Sequence, residues 1–344
     1  MKTRVCNQSF LKLLTSIGYE PALAPHMIKT WHRTAKAFVA ACSVMMSHAA
    51  LASPCRVIDA YTPVALLSRQ AVLVPPVDQV QAFRHSVIAR YPYLYAQQVL
   101  TLSAGQDIDA LILTSLASAR RSQARTELVT RLRHLVERTQ ASFAKLNGFR
   151  CDFPIYLTDS LGQFDGAGRI VDGRRSLVLG VDTLDAEQDR ISLRVFLAHE
   201  IFHRYHFMVG GFSDDAADRQ PLWRTLWAEG LATYASRTLN PGATIGQALM
   251  LPTDLAKRAA PLTPQIAADM LSHLDEVNPD VYRTYFTYGN KAVTARGLPW
   301  RSGYYVGYLV AARLARRHTL SALAHLPPRR VHMMVRVALQ TLAS

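Results

Sequence analysis

Five consecutive residues near the middle of the chain, His199-Glu-Ile-Phe-His203, constrain the fold more than any other feature of the sequence. On a helix, His199 and His203 lie one turn apart on the same face, so both imidazoles can reach one tetrahedral zinc ion. Glu200 between them is placed to take a proton from a water molecule that the metal polarises. The motif therefore predicts a helix with two zinc ligands and a general base, as in zinc hydrolases.

The neighbouring sequence favours a buried helix over a surface helix that happens to carry two histidines. Apolar residues recur at spacings of three and four: Ile191, Val195, Ala198 and Phe202. Asp185 with Gln188 predicts the helix start, and Gly210-Gly211 predicts its end. Buried histidines and a buried glutamate need partners, because unpaired buried polar groups cost free energy. A bound metal ion would be such a partner.

The third ligand distinguishes the classes of such sites. A metzincin would need Gly at position 206 and His at 209, where this chain has His206 and Val209, so that class is excluded. His206 lies about 10 Å of helix rise beyond His199, which is too far for both to bind one ion. Another class of zinc peptidases takes a glutamate from a following helix.

Glu229 is the predicted third ligand, on a helix that we expect over Leu222–Arg237. Gly230 beside it would let the two helices approach closely. The alternative is a solvated glutamate, with a ligand supplied by the loop aspartates Asp214, Asp215 and Asp218 instead. Those aspartates follow Gly-Gly-Phe-Ser, which is typical of an exposed turn.

These two segments, with Pro299-Trp-Arg-Ser-Gly-Tyr-Tyr-Val-Gly-Tyr308, resemble the gluzincin superfamily of zinc peptidases over about residues 150 to 320. More narrowly, they are similar to a set of predicted zinc-dependent proteases of mostly unassigned substrate. The resemblance implies an α+β, mainly helical fold, in which a thermolysin-like core places the motif helix under a small sheet. It also implies peptide-bond hydrolysis with one zinc ion per chain on His199, His203 and Glu229, and with Glu200 as general base.

Tyrosines near the C-terminus are candidates for stabilising the oxyanion of peptide hydrolysis. Gly303, Gly307 and Ala311 recur every four residues and predict a helix face that another backbone can approach. Tyr304 and Tyr308 flank that face one turn apart, and both are predicted catalytic residues. Tyr305 and His206 are further candidates. For each of them, aromatic packing with a satisfied polar atom is the alternative.

The remaining pattern predicts two long helices followed by short strands. Helices are expected at 77–105 and 108–147, strands at Phe153–Thr158 and Leu177–Val181, and turns at 162–173. In the resembled fold, a strand just before the motif helix lines the cleft and pairs with the substrate backbone. Leu177–Val181 is the candidate for that strand.

Residues 1–52 have the order of a secretory signal with an extended leader, and Met27 is the candidate true start. Basic residues precede the apolar run Ala37–Met46, and Ala50-Leu-Ala52 follows as the predicted cleavage site. The alternative is a buried N-terminal helix. Cleavage would leave a helical region at 53–150 and a zinc peptidase domain at 151–344, in the periplasm or outside the cell.

The cysteines and the net charge limit the cellular setting further. Of four cysteines, Cys55 and Cys151 would remain after cleavage; in an oxidising compartment they form a disulfide candidate, with two free thiols as the alternative. The formal charge of +14 is dispersed, and no aromatic-basic motif accompanies it. We therefore expect no nucleic-acid partner, but possible peripheral contact with an anionic envelope surface.

Two functions follow from the sequence. The first is an exported zinc peptidase that acts on a peptide or protein substrate with a zinc-activated water. The second is an envelope binding or assembly protein whose zinc is structural or vestigial. A structural site needs a fourth protein ligand, whereas a catalytic site keeps one position open.

Overall fold

The computed structural model describes residues 54–70, 73–212, 217–289 and 296–344, all within the unit Ala52–Ser344. The predicted leader, the start at Met27 and the cleavage after Ala52 lie outside the described residues. They stay predictions.

A small mixed sheet lies in the core, with strands β1 (Val57–Asp59), β2 (Ile155–Thr158), β3 (Gly166–Val171) and β4 (Arg174–Gly180). Their spatial order is β1-β2-β4-β3. The first three in this order are parallel, and β3 runs antiparallel to β4 at the sheet edge. Ile155 pairs with both Val57 and Leu177, which fixes the register of the parallel strands. The central strand β4 is buried from Ser176 to its end.

Strands β2 and β4 confirm the two predicted strands, but the prediction of turns at 162–173 is wrong where β3 forms. Glycine is unfavourable in strands, so the presence of Gly166 and Gly168 argued against a strand at the position of β3. Both lie close against side chains of the following long helix, which leaves little space for a Cβ atom. A Cβ atom on Gly166 would lie 2.7 Å from Phe196 Cζ, and one on Gly168 would lie 2.8 Å from the guanidinium of Arg204.

The helices before β2 are α1 (Thr62–Gln70), α2 (Pro76–Phe83), α3 (Gln97–Leu100), α4 (Ile108–Arg121) and α5 (Ala124–Phe143). The predicted helix at 77–105 is therefore wrong beyond its first part, which ends in a π-helical turn at Arg84–Ile88. Pro92 follows soon after and disfavours helix. The predicted helix at 108–147 divides at Ser122, which is extended and donates its hydroxyl to Asp185.

A disulfide joins Cys55 to Cys151, with the two Cα atoms 4.9 Å apart. The two cysteines precede β1 and β2, which are neighbours in the sheet. The pairing that the sequence left open is thus present. Because β1 belongs to the same sheet as β2, the boundary predicted at residue 150 falls between parts that share one core.

The motif helix α7 (Leu193–Gly210) follows a short helix α6 (Val181–Glu187). The predicted end is confirmed, since Gly211 adopts a left-handed φ of 69° directly after α7. The predicted start is wrong, because Asp185 lies inside α6. Its carboxylate pairs with Arg125 of α5 at 2.9 Å and is not used as a helix cap.

After α7 the chain is helical: α8 (Leu222–Thr238), α9 (Ile245–Leu249), α10 (Leu255–Ala259), α11 (Thr263–Ser272), α12 (Pro279–Phe286), α13 (Ser302–Leu314), α14 (Leu320–Ala324) and α15 (Pro328–Ala343). Helix α8 confirms the prediction for 222–237. Gly230 contacts the backbone of α13 at Gly307, so the glycine predicted to bring α8 close to α7 instead brings it close to α13.

The described part of the chain is thus mainly helical with one small sheet, which confirms the α+β class. No helix in it combines the length and the apolar character that a membrane crossing requires.

Candidate metal centre

Three predicted ligands converge from two helices. His199 and His203 lie one turn apart on α7, and their Nε2 atoms are 3.0 Å from each other. Glu229 comes from the middle of α8, with its Oε2 atom 3.3 Å from His199 Nε2 and 3.5 Å from His203 Nε2. His199 is buried, and the other two side chains are largely so.

These separations fit a single metal ion. Ligand atoms bound at zinc's usual distances of about 2.0–2.2 Å lie about 3.3 Å from one another in a tetrahedron. Within the part of the chain that the structure describes, only this set of His, Cys, Asp and Glu side chains could hold a metal ion. Asp214 and Asp215 lie outside that part, and Asp218 is not in the set. The group can therefore bind one cation through two nitrogens and one oxygen.

The pKa shifts of Glu229 and His199 suit metal binding. Burial raises the pKa of Glu229, but the neighbouring charge of His203 and hydrogen bonds from both histidines outweigh it and hold that pKa well below its usual value. Burial lowers the pKa of His199. An ionised carboxylate and a neutral imidazole are the forms that bind metals. At His203 burial lowers the pKa, but the charge of Glu229 outweighs burial and raises it, so a bound metal ion would have to displace a proton from this imidazole.

Glu200 lies beside the three ligands in the same cavity but is not one of them. Burial is the main reason that its pKa is raised to about 7. The side chain packs under β3, where a Cβ atom on Gly166 would lie 3.1 Å from Glu200 Cγ. A carboxylate with a pKa near neutrality is well suited to accept a proton at physiological pH.

The cavity above α7 has a volume of about 360 Å³ and contains the ligand group and Glu200. One wall is the edge strand β3, from Gly166 to Arg169. The prediction that Leu177–Val181 lines the cleft is wrong, because β4 lies between β2 and β3 in the sheet interior. On its far side, β3 pairs with no strand among the described residues.

Of the two predicted catalytic tyrosines, the structure brings only Tyr304 to the cavity. Its ring centroid lies 6.4 Å from that of His199. Burial and the charge of Glu229 raise the pKa of Tyr304 well above its usual value, so it is a neutral donor.

The prediction for Tyr308 is wrong, since this residue does not line the cavity. Four residues of helix, about 6 Å of rise, separate Tyr308 from Tyr304. Its hydroxyl accepts a hydrogen bond from Arg237, and its ring packs beside Tyr234.

The two further candidates lie elsewhere. Tyr305 is buried outside the cavity lining. His206 is fully buried among aromatic rings, and burial lowers its pKa to about 3. A neutral imidazole enclosed in this way is not a ligand of the group.

Sequence reasoning missed several residues that line the cavity: Gly166, Gly168, Arg224, Tyr282 and Arg301. The signal for Arg301 was available, because it lies in the Pro-Trp-Arg-Ser-Gly segment directly before Tyr304. Gly-Ala-Gly at 166–168 carried no comparable signal, since it is equally typical of a turn.

Comparison with known proteins gives no relative: no protein-family model, no curated protein and no solved structure matches this chain.

Proposed function

We propose that this chain is a zinc-dependent peptidase of the gluzincin type, in which α7 and the small sheet above it form a thermolysin-like core. One observation carries the proposal. His199, His203 and Glu229 place three ligand atoms within tetrahedral range of one another, and Glu200 lies beside them in the same cavity. Zinc in such a site supplies Lewis acidity and makes a water molecule more acidic.

The side chains of this protein supply the remaining steps. Glu200 accepts the proton of the attacking water and can deliver it to the leaving amine. The Tyr304 hydroxyl is the proposed donor to the oxyanion that develops on the substrate carbonyl. Both lie in the cavity, and Tyr304 is close to His199.

Strand β3 is the proposed binding site for the substrate backbone. It lines the cavity and is the edge strand of the sheet among the described residues, so an extended peptide could add to it as a further strand. Main-chain hydrogen bonds of this kind make little demand on substrate sequence.

The ligand number favours this function over a binding or assembly protein with a structural zinc. A structural site is closed by four protein ligands, whereas the group in the described part of the chain has three. The Cys55–Cys151 disulfide supports an oxidising compartment, and hence the proposed export.

A digest of a peptide library by the purified protein tests the proposal, with mass spectrometry of the new termini. Cleavage should require zinc, stop with the chelator 1,10-phenanthroline and return when zinc is restored. Absence of cleavage by protein that demonstrably holds zinc would contradict it.

A further inference from the structure

The cavity is rich in arginine. Four guanidinium groups line it, from Arg169, Arg204, Arg224 and Arg301, against three carboxylates, from Asp165, Glu200 and Glu229. A bound divalent ion would add to the positive charge. A cleft of one sign attracts ligands of the other.

Among the described residues, aromatic rings hold Arg301 and no carboxylate pairs with it. Its Cζ atom lies 4.1 Å from the ring centroid of Tyr304 and 4.9 Å from that of Tyr288, whose hydroxyl accepts a hydrogen bond from Nη1 at 2.7 Å. Within the described residues, no carboxylate oxygen lies within 4.0 Å of this guanidinium. Its buried Nε atom has no hydrogen-bond partner in the part of the chain that the structure describes.

Arg224 repeats this arrangement on a second wall of the cavity. It precedes Glu229 on α8, and its Cζ atom lies 5.4 Å from the ring centroid of Phe212 and 5.6 Å from that of Trp223. It too forms no ion pair among the described residues, and its buried Nε atom has no partner.

Elsewhere on the protein, arginines pair with acids, as Arg336 does with Asp275 and Arg125 with Asp185. Stacking on a ring keeps a guanidinium charged and fixes its plane while leaving N–H groups for a ligand. The ligand that matches this fork of donors is a carboxylate, which accepts two parallel hydrogen bonds.

We propose that Arg224 and Arg301 bind substrate carboxylates, so that the cleft selects acidic peptides. This inference rests on the proposed peptidase function, because it names the substrate class of the same cavity. The carboxylate can come from an aspartate or glutamate side chain or from the C-terminus of the peptide. Separate pairs of peptides distinguish these two sources.

The test measures binding of rhodamine-labelled peptides to zinc-loaded Glu200→Gln protein by fluorescence anisotropy, which does not depend on turnover. One pair of peptides differs by Glu against Gln side chains, and a second pair differs by a free C-terminal acid against an amide. We expect the acidic member of at least one pair to bind about tenfold more tightly, as for a charged hydrogen-bonded contact. The pair that shows the difference identifies the source.

Arginine variants made in the Glu200→Gln protein show which residues cause the preference for the acidic peptide. Arg301→Gln and Arg224→Gln should reduce it at least severalfold, and Arg301→Glu should favour a matched lysine peptide. Arg313→Gln is the control, because Arg313 is exposed on α13 outside the cavity. Zinc content and circular dichroism establish that each variant is folded. If Arg301→Gln or Arg301→Glu does not fold, Arg301→Lys replaces it, because lysine keeps the charge but lacks the paired N–H donors of arginine.

The outcomes separate the two proposals. Equal binding within both peptide pairs, or an unchanged preference in both arginine variants, would overturn the acidic specificity alone. Cleavage by wild-type protein at equal rates within both peptide pairs would do the same and leave the peptidase intact. Failure of every peptide to bind zinc-loaded protein would overturn both.

Discussion

Gly230 and Gly307 bring the backbones of α8 and α13 into direct contact, because a Cβ atom on Gly230 would lie 2.2 Å from the carbonyl carbon of Gly307. Glu229 is the neighbour of Gly230, and Tyr304 lies nearly one turn before Gly307. This contact therefore sets the position of the proposed third ligand relative to the proposed oxyanion donor.

Gly230→Ala should destabilise the protein by about 1–3 kcal/mol, because the added methyl overpacks a backbone contact that has no room to yield. The sign of this change in the free energy of unfolding distinguishes packing from helix propensity. Alanine in a helix interior is intrinsically better than glycine by about 1 kcal/mol, so propensity alone predicts the opposite. Urea unfolding measures the change, with the exposed Thr238→Ala on the same helix as control. A Gly230→Ala protein as stable as wild type would contradict the close contact.

The local parts of the site could be predicted from the sequence. Two histidines at a spacing of four lie on one helix face whatever surrounds the helix, so His199 and His203 needed no tertiary information. Glu229 was predicted because its helix is uninterrupted and because the resembled gluzincins take a glutamate as third ligand. The sequence offered Cys55 and Cys151 as a disulfide candidate, with free thiols as the alternative, and the structure contains the disulfide.

The features that could not be predicted from the sequence depend on packing between segments that are distant in the chain. Strand β3 contains Gly166 and Gly168, which lie against side chains of α7, a contact that the sequence does not show. Tyr304 and Tyr308 share a helix face, so periodicity cannot say which is nearer the metal group. Where the predicted helix 108–147 divides, the hydroxyl of Ser122 donates to Asp185, a contact with a residue remote in sequence.

Glu229→Ala should greatly weaken zinc affinity, because a tetrahedral site then retains two protein ligands. Competition with a zinc-binding dye measures the affinity, and the rise in melting temperature on zinc addition should shrink with it. Asp218→Ala is the control, since Asp218 is not in the ligand group. Asp214→Ala and Asp215→Ala should also leave affinity nearly unchanged. Zinc loss in one of the aspartate variants with retention in Glu229→Ala would assign the third ligand elsewhere.

Reduction of the Cys55–Cys151 bond should lower stability by about 2–5 kcal/mol, because the bond closes a long loop in the unfolded chain. The two cysteines are 96 residues apart. Chemical unfolding with and without a thiol reductant measures the difference. The Cys55→Ser/Cys151→Ser double variant should match the reduced wild type and ignore reductant. If reductant also lowered the stability of this variant, the loss of stability would not come from the Cys55–Cys151 bond.

Asp159 should make stability fall as pH rises. Burial first, and then the charge of Asp182, raise its pKa to about 7 in the folded protein. An aspartate in the unfolded chain titrates near about 4. Between these values the folded state binds more protons, so stability declines with a slope of up to about 1.4 kcal/mol per pH unit.

The difference between wild type and Asp159→Asn isolates this contribution from other titrating groups. Urea midpoints across pH 4 to 8 should show the Asn variant gaining on wild type up to about pH 7, with a constant difference above it. A difference that does not change with pH would mean that Asp159 is ionised throughout this range.

The most direct test of the proposed chemistry measures zinc content and peptide hydrolysis on the same samples of wild-type and Glu200→Gln protein. Glutamine keeps the shape of Glu200 and removes its basicity. Both proteins should hold about one zinc ion per chain, as expected for a single catalytic site. Hydrolysis should fall by about 100-fold to 10,000-fold in the variant, the usual contribution of a general base. Unchanged hydrolysis by a Glu200→Gln protein that holds its zinc would contradict the mechanism.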